Sequence, residues 1–521
     1  MPKGRRSDYA YSRNAGSAQS FKPLPRRMQE GLEEADVLTQ RGNLLAARQV
    51  LDDLDRQYPN REEILTDLVN LNIQLNNLPN LIATCERLIK VSPYIPEAHI
   101  SLAGAYLDSN YPTLALHRFR HFVKQFSSHQ RASEIRELVT ELEPTVEEMR
   151  RDVGLDDAAL SEKHEQAQVY LSQGHYAQGR RLCEELIRAR PDFVSAYNNL
   201  SLLHYADGRY EDAIDVAKRA LEINPQNVHA LSNLTRFYCL SGRLGEARTT
   251  ANQLQQLPTT ANVDLAIKKA EAFSFVGDDQ VVLDGVLAVE QAWPDDKRDQ
   301  LDNPFLWHLG GVAAMRLGDE KTARRLWGRA LSISPGFELA QENLDELSLP
   351  IGERHTAWPF SLGYWMRRVI LDALIAETSA TAHTSIRTDD DDTPHLAKAT
   401  QRVLRKYPDL QTLVPMLLQR GDPQGRELAL MVAQMSKTPA MLNALRDFAL
   451  GQFGPDAMRM KAGQLAREAK PAAARANPDV AKRRMARVAA DGVQNHNPAI
   501  RDQPFAPCAR SGRASVRCFG G

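Results

Sequence analysis

Along the first two thirds of this chain, bulky apolar side chains return in a frame set by small residues and prolines. Prolines fall at Pro59 and Pro93, and again at Pro191 and Pro225, each pair 34 residues apart, and Pro258, Pro294 and Pro335 continue the series with small slips. With each proline near position 32 of a 34-residue unit, position 15 is Gly42, Gly174, Gly208, Gly242, Gly277 and Gly318. A glycine there marks a turn between two helices, where a left-handed backbone meets no Cβ penalty. Position 20 is Ala47, Ala115, Ala213, Ala247 and Ala323, and position 8 is Ala35, Ala103, Ala167, Ser201, Ala270 and Gly311. Small residues at these places let paired helices approach closely, while Tyr106, Tyr170, Tyr197, Leu200, Tyr238, Trp307 and Trp327 fill the gaps. One such pair cannot bury its apolar face alone, whereas stacked pairs share a continuous core.

These positions resemble the tetratricopeptide repeat family, most clearly in AYNNLSLLHYADGRYEDAIDVAKRALEINP, Ala196 to Pro225. The frame gives eight units, at about 28–61, 62–95, 96–129, 160–193, 194–227, 228–261, 263–296 and 304–337. The resemblance implies an all-α fold, a right-handed solenoid of helical hairpins whose concave groove is lined by the first helix of each pair. Three repeats over 28–129 are expected to be followed by a helical spacer over 130–159, because that stretch lacks the glycine and alanine landmarks. Five more repeats and a capping helix then run over 160–348, and the seven extra residues between Pro294 and Pro335 fall in DDKRDQLDN, a polar surface loop.

The remaining chain reads differently. The segment TAWPFSLGYWMRRVILDALIAETS is amphipathic and aromatic, and the expectation is a core helix joining two domains rather than a helix on a membrane surface. From 349 to 469 a smaller helical domain is expected. Within it Arg426 and Arg459, 33 residues apart and preceded by Pro423 and Pro455, suggest a short HEAT-like array.

Charge is uneven. The 521 residues carry a formal net charge of -1, yet residues 1–30 hold seven Lys or Arg against two acids and residues 461–521 hold twelve against four. The intervening chain is therefore acidic, and the two ends, 1–27 and 470–521, are expected to be disordered basic tails. Asp389 to Asp392 read as a solvated loop rather than a calcium site, which needs spaced ligands and a turn glycine. Five cysteines without a CxxC pair fit a reducing compartment. The first residues contain no apolar core of the kind a secretory signal needs, so a cytoplasmic protein is expected. No run of 18 apolar residues is present, and membrane insertion is not expected.

Catalytic signatures are missing. The sequence contains no phosphate loop, no GxSxG elbow, no HExxH helix and no zinc deaminase pattern, so no enzyme, cofactor or metal is expected. His117 and His121 share a helix face but lack a third ligand. Binding is better supported. Concave position 6 is Asn199 in unit five and Asn233 in unit six, which resembles the asparagine ladder of the repeat domain in the O-linked N-acetylglucosamine transferase family. An amide donates and accepts at once, so it can hold a peptide main chain whatever its sequence. Asn198 and Arg236 fall on the same face, and Arg236 favours a ligand carrying a carboxylate. The carboxylate clamp of chaperone-binding relatives is not matched, since His164, Gln168, Asn199, His229 and Asn233 stand at its places and only one fits.

The expected function is a non-catalytic scaffold binding a protein or peptide partner in the groove. A substrate-recruiting or regulatory subunit of an enzyme complex is the alternative, and homo-oligomerisation is compatible with either. A nucleic-acid-associated role through the basic tails is disfavoured by the acidic body and by the lack of interleaved aromatics.

Overall fold

The structure, a computed structural model, describes residues 24–259, 262–293, 303–367, 369–374, 376, 393–436 and 438–468. Residues 1–23 and 469–521 of the basic ends, the polar loop at 294–302, and the Asp389 to Asp392 run lie outside these residues, as do Cys508 and Cys518.

Among the described residues the secondary structure is helical, without strands. Eight antiparallel hairpins follow one another: α1 (Arg26–Gln40) with α2 (Leu44–Gln57), α3 (Glu62–Gln74) with α4 (Leu78–Val91), and α5 (Pro96–Asp108) with α6 (Pro112–Gln125). After the single helix α7 (Ala132–Val153) come α8 (Ala158–Gln173) with α9 (Tyr176–Ala189), α10 (Val194–Ala206) with α11 (Tyr210–Ile223), and α12 (Val228–Leu240) with α13 (Leu244–Gln255). The stack ends with α14 (Val263–Val276) and α15 (Asp279–Ala292), then α16 (Pro304–Arg316) and α17 (Glu320–Ile333), capped by α18 (Glu338–Glu346).

The turns explain the frame. All six glycines at position 15 have positive φ, from 75° at Gly242 to 89° at Gly318. Units two and three place Asn76 (φ 52°) and Asn110 (φ 61°) at the same position, asparagine being the side chain that best tolerates the left-handed region. The landmark alanines at position 20 are at most 1% exposed. Unit four has Gly179 there instead, and a Cβ on it would stand 2.6 Å from Leu203 Cδ2, so closeness of packing selects the smaller residue.

The arrays are directly joined. Glu165 on α8 accepts from the backbone N–H groups of Thr113 (3.0 Å) and Leu114 (2.8 Å), the orphan donors of the first turn of α6. Burial raises the Glu165 pKa against the pull of these bonds. Val169, also on α8, belongs to the apolar core of the first three repeats. The 130–159 stretch is thus a helix inserted beside α6, with unit four packed onto α4 and α6.

Beyond α18 the chain turns back. Residues 356–361 are non-helical and a single helical turn covers Leu362–Trp365, where the sequence pattern suggested one continuous core helix. The core half of that expectation survives: Trp358, Phe360 and Trp365 are at most 1% exposed. A helical stretch at 369–374 and further helices at Thr393–Lys406, Val414–Arg420, Pro423–Ser436, Pro439–Leu450 and Asp456–Glu468 follow. Their buried apolar residues join those of repeats five to eight in one cluster running from Tyr205 to Ala462, so the 349–469 segment shares its core with the solenoid. Of the two arginines that suggested a HEAT-like period, Arg426 is fully buried whereas the Arg459 side chain keeps 27% exposure, so their surroundings do not repeat.

Candidate peptide-binding groove

The first helices of repeats six to eight offer concave positions that are already occupied by the chain itself. Segment 355–367 lies along them, held by side chains that grip its main chain. Asn343 on α18 accepts from Trp358 N (3.1 Å) and donates through Nδ2 to Trp358 O (3.3 Å), one amide thus satisfying both main-chain groups of one residue. His308 Nε2 on α16 donates to Pro359 O (3.1 Å) and Arg316 Nη1 donates to Ala357 O (3.1 Å). The fully buried guanidinium of Arg426 donates to Thr356 O (2.9 Å) and to His355 Nδ1 (3.2 Å). Desolvation lowers the Arg426 pKa to about 9 and that of His308 to about 4, so the imidazole binds as a neutral donor. Phe360 stacks on Phe275 with centroids 4.6 Å apart and on Tyr364 at 4.7 Å.

Arg236 marks the edge of this filled section. Its guanidinium carbon sits 4.7 Å from the Tyr364 ring centroid, 5.2 Å from Tyr205 and 5.5 Å from Phe275, and Nη2 donates to Tyr364 O at 3.1 Å. Three ring faces and a carbonyl therefore engage the charge within the chain. Arg236, expected from the sequence to favour a ligand carboxylate, is engaged here by the returning segment.

Between this edge and α7 a cavity of about 620 Å³ remains open along repeats four to six. Met366 and Arg367 bound it at one end, and Met149, Arg150 and Val153 of α7 bound it at the other. Asn198, Asn199, Asn233 and Arg236 all line it, together with His164, His229, Asp264, Lys268 and Glu271. Arg367 also fixes the wall: its Nη2 pairs with Asp409 at 2.9 Å, and its Nη1 lies 1.9 Å from where a Cβ on Gly208 would be, so a larger residue at position 208 would push this guanidinium aside.

The hydrogen bonds orient the three amides. Asn227 Oδ1 already accepts from Ala230 N (2.7 Å) as a helix cap, so the group that Asn198 presents to it at 3.2 Å is the Nδ2 donor. Ser201 Oγ donates to Asn198 O (2.7 Å) and therefore accepts from Asn233 Nδ2 (3.3 Å). Asn199 Nδ2 lies 3.4 Å from His164 Nδ1, and burial lowers the His164 pKa to about 4, leaving a ring nitrogen able to accept. All three amides, each 8% exposed, thus spend one of their two N–H donors inside the protein. Asn198 Oδ1 is buried without a partner. Asn199 Oδ1 and Asn233 Oδ1 accept no hydrogen bond among the described residues.

Sequence reasoning missed Asn343, His308 and Arg316 because it looked for groove asparagines at one repeat position, whereas Asn343 lies on the capping helix outside the frame. No group of three or more His, Cys, Asp or Glu among the described residues is arranged to hold a metal. No helix among them is long and apolar enough to cross a membrane.

The tetratricopeptide repeat pattern matches residues 164–228 and, in a second form, 204–265. Among curated protein sequences none matches the chain. Similar solved structures include a tetratricopeptide repeat protein from Parabacteroides merdae, 13% identical over 61% of this chain and 97% of its own, with a TM-score of 0.27. YrrB, described as a repeat protein with an unusual peptide-binding site, is 14% identical over 34% of this chain and 88% of its own, with a TM-score of 0.26. The MamA protein is 15% identical over 39% of this chain and 94% of its own, with a TM-score of 0.20.

Proposed function

We propose that this tetratricopeptide repeat protein is a non-catalytic interaction scaffold that binds a peptide segment of a partner in the cavity of repeats four to six. The observation that carries the reading is the set of amides at Asn198, Asn199 and Asn233, which line the cavity with one N–H of each already used inside the protein. Asn199 and Asn233 each retain a carbonyl oxygen and a second N–H, which match the alternating N–H and C=O groups of an extended peptide. Such a ligand need not carry a carboxylate, because Arg236 is engaged by Tyr364. The chain itself supplies a precedent for the chemistry, since Asn343 pairs with the main chain of Trp358. The three described cysteines, Cys85, Cys183 and Cys239, are buried and unpaired, which suits a reducing compartment such as the cytoplasm.

The test is a titration of the partner retained by the immobilised full-length chain against wild type and the double variant Asn199→Ala, Asn233→Ala. Alanine favours a helix at both places, so the fold is expected to persist. Affinity is expected to fall by roughly 1–3 kcal/mol, from two net hydrogen bonds of about 0.5–1.5 kcal/mol each. Unchanged affinity would overturn the reading, and a lowered melting temperature beside it would mean that these amides serve only the packing between repeats.

A further inference from the structure

The concave face of the first three repeats has a character quite unlike that of the cavity. Taking the positions that line the groove in α1, α3 and α5, the charged residues are Glu33, Asp36, Glu63, Asp67, Glu97 and Asp108, and no Lys or Arg stands among them. The same positions in later repeats include Arg236, Lys268 and Arg316, so this is a local feature and not a property of the whole solenoid. Partial compensation comes from neighbours outside these positions: Arg61 pairs with Glu63 at 3.2 Å and His129 approaches Glu97 at 3.5 Å. The groove-lining positions themselves carry six acids and no base.

Two depressions run along it. One, of about 390 Å³, is lined by Leu24, Gln29, Leu32, Glu33, Glu62, Glu63 and Thr66. The other, of about 240 Å³, includes Ile73, Leu78, Leu81, Ser101, Gly104 and Asp108. The first is lined by three carboxylates and the second by one, each beside apolar side chains, a combination suited to a segment bearing both cations and aromatic rings.

The chain carries such a segment next to the face. Residues 1–23 hold Lys3, Arg5, Arg6, Arg13 and Lys22 against the single acid Asp8, with Tyr9, Tyr11 and Phe21 between them. They join the described chain at Leu24, whose side chain lines the first depression. At roughly 3.3–3.6 Å per extended residue, 23 residues reach well beyond three repeats whose neighbouring helices lie about 8–10 Å apart. Attachment also gives a local concentration in the millimolar range, which a separate chain has to match. The basic residues beyond 469 share the sign of charge but are not tethered at this face.

We propose that the acidic concave face of repeats one to three is a docking surface for the chain's own basic segment, residues 1–23. The proposal is independent of the cavity in repeats four to six, which uses neutral amides on other helices.

Limited trypsin digestion of the full-length protein tests it, because trypsin cuts after Lys3, Arg5, Arg6 and Arg13 and, at the other end, after Arg475 and Lys482. The quantity to follow is the initial rate of cleavage within 1–23 divided by that beyond 469, measured by mass spectrometry. The variant Glu33→Gln, Glu63→Gln, Asp67→Asn keeps shape and removes three charges, and its melting temperature is measured alongside. At low salt the ratio is expected to rise roughly tenfold in the variant, as cleavage follows the undocked population. In 1 M salt, where the Debye length is about 3 Å, wild type is expected to approach the variant. Equal ratios at low salt overturn the proposal. So does a variant that instead accelerates cleavage beyond 469, since the face would then hold the other basic end.

Discussion

Replacing Phe360 by Ala is expected to lower the stability of the second half of the molecule by about 3–5 kcal/mol, the range for removing a large buried aromatic side chain. Phe360 is wholly buried, stacks on Phe275 and Tyr364, and meets Trp365 edge-on at 5.4 Å. The loss reaches further than the cavity it leaves. Tyr364, which Phe360 supports, holds the Arg236 guanidinium and donates its hydroxyl to Glu271, so the wall of the open groove depends on the same ring. Thermal melting followed by circular dichroism should show the early transition in repeats five to eight together with the helices up to Glu468, since these share one core. The first three repeats have their own cluster and should melt as in wild type. A small loss, near that of an exposed substitution, would mean that segment 355–367 is not a component of the core.

A loss of similar size is expected for Asp279→Ala. This carboxylate is placed between two arginines that come from distant parts of the chain, Arg316 on α16 and Arg420 at the end of the Val414–Arg420 helix. Arg316 Nε donates to Oδ2 at 3.1 Å, and Arg420 donates to both carboxylate oxygens. The side chains are 8% and 7% exposed for the arginines and 15% for Asp279. Desolvation, with repulsion from Arg420, lowers the Arg316 pKa to about 10. Removing the shared anion leaves two buried cations facing each other, and breaking a buried pair in this way costs about 3–5 kcal/mol. The exposed Arg26 and Glu30 pair supplies the contrast, with side chains 91% and 59% accessible. Glu30→Gln should change stability by no more than about 0.5 kcal/mol. Denaturant titration of both variants checks the difference, and equal effects would refute the role assigned to Asp279 as the link between solenoid and C-terminal helices.

The repeats were legible in the sequence because their physical requirements are local. A left-handed turn needs Gly or Asn within the hairpin, and a close helix contact needs Ala or Gly at a fixed offset, so Gly208 and Ala213 announce themselves together. Asn76 and Asn110 carried the same signal in units two and three, and a search extended from glycine to asparagine would have found it. Segment 355–367 was less legible. Its apolar residues were recognisable as core, but Trp358, Phe360 and Trp365 say nothing about which surface buries them, and the aromatic pattern suggested a helix where Pro359 and its neighbours are non-helical. Its partners, Phe275, His308 and Arg426, lie tens of residues away in both directions. The groove residues fell between these cases. Periodicity brought Asn199 and Asn233 onto one surface together with Arg236, yet only the position of Tyr364, 128 residues further on, shows that this cation is already engaged.

The division of the second array's concave face into a filled half and an open half is the centre of this account. Hydrogen exchange of the full-length protein, with and without the partner retained by it, reads that division directly. Added protection is expected in peptides covering 161–171, 195–206 and 229–236, which contribute to the cavity, while 305–316 and 355–365 remain as slow with the partner as without it. New protection at 305–316 accompanied by faster exchange at 355–365 would contradict the account, because the partner would then have displaced the segment and taken the half of the groove assigned here to the chain itself.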